Sequence, residues 1–203
     1  MKLRSFSLPH FLLLIYVVEF CVLAIEPYDR ATWWAENIPV VIIVGILVAM
    51  YQRFKFSNAS YLMMSVFIFL HTIGGHYTFE RVPFAWFSEL FGFERNHYDR
   101  IAHFSVGFYA YPICEFIERK KLSTHRMLTA LFGICAIFTV AAVYEIIEWI
   151  YAVGSDPTAG AAFLGSQGDI WDAQKDMLAD GSGALLAVVL FVLTQKKTLS
   201  LSP

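Results

Sequence analysis

Charge is what this sequence has least of. Only 16% of its 203 residues are Asp, Glu, Lys or Arg, while 58% are hydrophobic and 17% aromatic; an average soluble domain is about 25% charged. A water-exposed fold of this length would lack the polar surface to cover itself. With a net charge of −2 and no dominant basic run, a nucleic-acid-binding surface is excluded, and the apolar content excludes disorder. Cysteine is scarce as well. Cys21, Cys114 and Cys135 each lie inside an apolar stretch and read as small hydrophobes, with no disulfide framework and no metal clip. A small-x-small cleavage site is also missing after the first apolar run, Leu8 to Ile25, which carries Glu19 and ends at Glu26-Pro27. That run therefore reads as a retained helix, not a signal peptide. With mean hydropathy at +0.57, the class is integral membrane protein.

Crossing about 30 Å of hydrocarbon takes roughly 20 helical residues. Segments near 8–25, 35–52, 59–78, 99–117, 127–150 and 172–194 meet this, some only with polar residues included. The expected fold is thus all-α: one polytopic bundle of about six transmembrane helices filling residues 1–203, with no internal repeat. Trp33 and Trp34 stand where an interfacial aromatic belt is expected ahead of the second helix. Ten of the fifteen Lys/Arg fall on one side: Lys2, Arg4, Arg53, Lys55, Arg119, Lys120, Lys121, Arg126, Lys196 and Lys197. The positive-inside rule makes that side cytoplasmic, and an even number of spans places both termini there.

The carboxylates are biased the other way. Of seventeen Asp/Glu, only Glu115 and Glu118 belong to the cytoplasmic edge. Acidic residues have little influence on topology, so the bias calls for a site. Four helix ends expected at the outer face supply polar side chains: His71 to His76, Asn96 to His103, Tyr144 to Trp149, and Gly168 to Asp180. Asp99 and His103 are i and i+4, and Glu145 and Glu148 are i and i+3, so each pair shares a helix face. Asp169, Asp172, Asp176 and Asp180 form a stripe about 80° wide and about 16 Å long, too long for one centre. Asp172 and Asp176 are the inner pair, with Asp169 at the entrance and Asp180 at depth. His71 and His76, at i and i+5, share a face only if Gly74-Gly75 breaks the helix.

An Asp at mid-membrane costs roughly 2.5–3.5 kcal/mol on insertion scales, and crowding adds repulsion. Such a stripe needs protons, basic partners, water or a bound cation. A divalent metal is the direct solution, and carboxylates with imidazole suit Zn, Mn or Fe. The expected ligands are Asp99, His103, Glu145, Glu148, Asp172 and Asp176. Glu145 or Asp169 would serve as general base, and Arg100 or Lys175 would hold an anionic headgroup. Each also has a plain structural reading: a cap paired to Arg95 or Arg100 for Asp99 and Glu148, a hydrogen-bonded bundle histidine for His103, a solvated helix start for the stripe. Glu19 reads either as support for the site or as a protonated, hydrogen-bonded Glu. Gly181-Ser182-Gly183 reads as a close helix contact.

Three tracts, Tyr98 to Phe104, Tyr144 to Trp149 and Gly168 to Met177, resemble the YjdF family of bacterial inner-membrane proteins over nearly the whole chain. That resemblance implies a multi-pass inner-membrane protein and carries no reaction with it. The Asp172-x3-Asp176-x3-Asp180-Gly segment is more weakly similar to the last helix of VanZ-like proteins, where Asn usually stands in place of Asp180. The leading expectation is a metal-dependent hydrolase or transferase acting on a lipid or envelope-linked substrate. The alternatives are a proton- or cation-coupled transporter and a non-catalytic assembly subunit docking through the aromatic loop 84–93.

Overall fold

A computed structural model describes residues 7–154, 160, 164 and 166–200, the last six of these by their backbone alone. Lys2 and Arg4, the side chains of Lys196 and Lys197, and residues 155–159, 161–163 and 165 of the loop between 151 and 171 lie outside the described residues. Among the described residues every regular element is helical: α1 (Leu8–Leu23), α2 (Arg30–Met50), α3 (Asn58–Tyr77), α4 (Ala85–Phe91), α5 (Tyr98–Val106), a 3₁₀ turn (Gly107–Tyr109), α6 (Ala110–Arg119), α7 (Arg126–Gly154) and α8 (Asp172–Ser200).

Three segments are long and apolar enough to cross a membrane: Arg30–Met50, Arg126–Gly154 and Asp172–Thr194. The other expected spans differ for physical reasons. α1 is apolar but only 16 residues long. α3 has the length, but it buries Ser60, Ser65, His71 and Thr72 against its neighbours, so its polarity faces protein. The segment expected at 99–117 is interrupted by the 3₁₀ turn. Pro112 has no N–H to return to the carbonyl of residue 108, so the α-helical ladder is broken there.

α2 starts earlier than its apolar run because Asp29 caps it, its carboxylate accepting the Thr32 N–H at 2.7 Å. That extra turn carries Trp33 into the core at 1% exposure, so it is no belt residue, while its neighbour Trp34 is exposed. Gly74-Gly75 does not break α3. Gly75 instead lets α2 approach, since a Cβ there would meet Glu36 and Asn37.

Two apolar clusters hold the helices. Tyr16, Val40, Phe67 and Ile68 join α1, α2 and α3. Ala110, Tyr111, Cys114, Ile137, Ala184, Ala187, Val188 and Phe191 join α6, α7 and α8. The tightest approach is between α8 and the end of α5. A Cβ on Gly183 would overlap the Phe104 carbonyl, and one on Gly107 would overlap the backbone of Asp180 and Ala184. Backbone touching backbone at this depth fixes which faces of α5 and α8 look at each other.

Candidate functional site: an acidic–histidine cavity

The faces brought together are the two polar stripes. Asp99 and His103 of α5 meet Asp176 and Asp180 of α8, and the last two are 3% and 1% exposed. His103 Nδ1 is 3.3 Å from Asp180 Oδ2, and its Nε2 is 3.6 Å from Asp99 Oδ1 and 3.8 Å from Asp176 Oδ1. One imidazole is thus flanked by three carboxylates. Asp99, His103 and Asp176 each offer a donor atom within 4.8 Å of the others.

The stripe has more cationic partners than its own helix supplies. Arg100 contacts Asp172 and Asp176 and lies 3.5 Å from Asp169. Arg95, from the loop before α5, bonds Asp172 at 2.6 Å and sits 3.5 Å from Asp169 and 3.9 Å from Asp99. Lys175 bonds Asp169 at 2.7 Å. The loops carrying these groups are pinned by Asn96, whose amide donates to the Glu80 and Val82 carbonyls and whose backbone exchanges hydrogen bonds with Gln167.

The Lys175 hydrogen bond, with the Trp171 N–H, holds the Asp169 carboxyl below the usual range. His97, before α5, is pushed down by burial and by the arginines at 95 and 100.

These contacts sort the expected residues. Asp99, His103 and Asp176 come within ligand reach of one another. Asp172 is paired with the two arginines, Arg100 with Asp172 and Asp176, and Lys175, half exposed, with Asp169. Asp169 is at the entrance with Lys175. Glu148 lines the adjoining cavity, and Glu145 keeps one buried carboxylate oxygen without a partner among the described residues. Asp180, the depth position, also has a buried oxygen, Oδ1, with no partner among the described residues.

A cavity of about 380 Å³ opens beside this cluster. Asp99, His103, Glu148, Asp180, Glu36 and His71 all line it, and most of the rest of its wall is apolar, including Ile43, Phe67, Val106 and Ile137. Glu36 is the residue that sequence reasoning missed. It is 2% exposed, accepts the Tyr144 O–H at 2.9 Å, and has His71 Nε2 at 3.1 Å. It stands at the start of the expected 35–52 segment, ahead of the apolar run from Ile38, and carried no pattern of its own; the signal available was the Asp29 cap, which starts the helix at Arg30 and puts Glu36 well inside it. His76 belongs elsewhere, its Nδ1 2.8 Å from the Leu23 carbonyl at the α1–α2 turn. Glu19 keeps a buried oxygen without a partner.

A chain that is helical throughout its described elements, with three membrane-length apolar helices, is a multi-pass membrane protein. It belongs to the family described as "Predicted membrane protein (DUF2238)", which it matches over residues 8–197. It is 33% identical over 189 residues to the inner membrane protein YjdF of Escherichia coli (strain K12), covering 92% of this chain and 87% of that protein. No solved structure matches it.

Proposed function

We infer that this chain is a single six-span bundle of the bacterial inner membrane that binds a divalent cation, Zn, Mn or Fe, at Asp99, His103 and Asp176. It would use that cation in hydrolysis or group transfer on a lipid or envelope-linked substrate whose apolar part enters the 380 Å³ cavity. The observation that carries the reading is the convergence of those three donors within 4.8 Å, two of them, Asp99 and His103, lining a mainly apolar cavity. The charge balance supports it. Among the described residues, Asp99, Asp169, Asp172, Asp176, Asp180, Glu36, Glu145 and Glu148 face only Arg95, Arg100 and Lys175 as permanent cations. A cation would also satisfy a neighbourhood where Asp180 Oδ1 and Glu145 Oε1 lack partners. Bound there, a divalent ion would polarise a phosphoryl or carbonyl oxygen and make a bound water acidic. Glu145 suits the general base, since Asp169 is engaged by Lys175.

Elemental analysis of detergent-purified protein tests this. Stoichiometric metal in the wild type and in His125→Ala, lost in His103→Ala and Asp176→Asn, is the expected result. A wild type that stays metal-free after incubation with each ion refutes it. That outcome would favour the reading of a proton- or cation-coupled transporter, for which the specific observation is Arg100 already seated on Asp176.

The basic bias orients the bundle with both termini cytoplasmic and the acidic end outside. In a background with Cys21, Cys114 and Cys135 replaced by Ala, Glu94→Cys should react with an impermeant thiol reagent on intact cells and Thr124→Cys should not. The reverse pattern would invert the site.

A further inference from the structure

At the opposite end of the bundle from the acidic site lies a second cavity, of about 260 Å³, between α1, α2 and α3. It is smaller than the roughly 300–1,000 Å³ of whole-ligand pockets, and its walls are mainly apolar, among them Leu13, Leu47 and Phe69. Tyr16 lines it, 7% exposed, and its buried hydroxyl has no hydrogen-bond partner among the described residues. An unpaired buried hydroxyl is costly, so an acceptor brought in by a ligand would be favoured there.

The mouth has the opposite electrostatic character to the acidic site. Tyr51 and Gln52 form its edge, and Arg53 and Lys55 follow directly, both exposed. Lys55 Nζ lies 5.0 Å from the centre of the Tyr51 ring. Among the described residues neither Arg53 nor Lys55 makes an ion pair, in contrast to Arg95 and Arg100 at the other end. A basic, unneutralised rim over an apolar slot between helices is the arrangement that captures acidic lipid headgroups.

We propose that the cavity between α1, α2 and α3 is a binding site for one anionic phospholipid, with an acyl chain in the slot beside Tyr16 and the phosphate at Arg53 and Lys55. The Tyr16 hydroxyl would donate to an ester carbonyl. The site is separate from the acidic cavity and does not depend on any metal there.

Native mass spectrometry of the full chain tests it, with the protein released from micelles doped with equal amounts of phosphatidylglycerol and phosphatidylcholine of identical acyl chains. The wild type should retain one phosphatidylglycerol severalfold in preference. Arg53→Ala with Lys55→Ala should erase that preference. Ser65→Leu, which fills the slot, should lower retention of both lipids. Tyr16→Phe keeps the ring and removes only the hydroxyl, so it decides the matter if Ser65→Leu does not fold; it should lower retention of phosphatidylglycerol. Equal retention of the two lipids by the wild type overturns the proposal. So does a preference that survives the double charge removal, or retention unmoved by Tyr16→Phe. A preference abolished by the charge variant yet untouched by a folded Ser65→Leu would mean surface attraction without a slot, and also overturns it.

Discussion

Replacing Arg100 by Met and Asp176 by Asn should have very unequal effects, because only one of these residues is in short supply. The Arg100 guanidinium contacts Asp172 and Asp176 and is 3.5 Å from Asp169 and 3.8 Å from Asp99, with 13% of its side chain exposed. Removing it leaves Asp176, 3% exposed, with the His103 imidazole at 3.8 Å as its nearest remaining basic neighbour. Stripping one partner from a buried ion pair costs about 3–5 kcal/mol. At roughly 2–4 °C per kcal/mol for a chain of this size, the melting temperature should fall by roughly 6–20 °C. In Asp176→Asn the amide oxygen still accepts from Arg100, and Arg100 keeps Asp172. The loss is the charge-assisted part of one bond, about 1 kcal/mol, and relief of repulsion among the neighbouring carboxylates opposes it. The net change should be close to zero or stabilising. Combining the two substitutions should recover part of the Arg100→Met loss, since the charge left unpaired is then absent. Thermal unfolding in detergent, with chelator present and followed by tryptophan fluorescence, measures all three. A drop in Asp176→Asn as large as that in Arg100→Met would refute the reasoning and make Asp176 half of an ordinary structural ion pair.

Two further outcomes follow from local geometry. Gly183→Ala should destabilise by about 1–3 kcal/mol, because its Cβ would overlap the Phe104 carbonyl, whereas Gly45→Ala, with nothing within 4 Å, should be neutral or stabilising; similar thermal shifts in both would contradict the close α5–α8 approach. Asp29→Ala should cost about 1 kcal/mol through loss of the α2 cap. The Thr32 N–H holds the Asp29 carboxyl below its ordinary range, so its contribution is complete above the unfolded-state value and disappears as pH falls through the lowered folded value. Wild type and Asp29→Ala should therefore converge in stability in acid, and a gap that persists there would contradict the cap.

Composition alone determined the class of this protein, because 16% charge cannot cover a water-exposed fold of this length. Local spacing determined a good part of the site as well. Asp99 and His103, four residues apart, do share a face, and so do Asp176 and Asp180, since helical periodicity acts within one element whatever surrounds it. The Gly181-Ser182-Gly183 contact was legible for the same reason: residues without bulk mark where another backbone comes close.

What lay beyond the sequence was which cation meets which carboxylate across the elements. The aspartate stripe of α8 carries one basic residue of its own, Lys175, and the cations that compensate it, Arg95 and Arg100, arrive from α5 and the loop before it. That pairing is fixed by Gly107 meeting Asp180 and Ala184, and Gly183 meeting Phe104, a register that no periodicity encodes. Glu36 is the same case on another helix. It precedes the apolar run of α2 and looks like an interfacial residue, until the Asp29 cap and the Gly75 approach draw it inward to Tyr144 and His71. A carboxylate's role depends on the charges within a few ångströms of it, and those neighbours are set by which helices pack together.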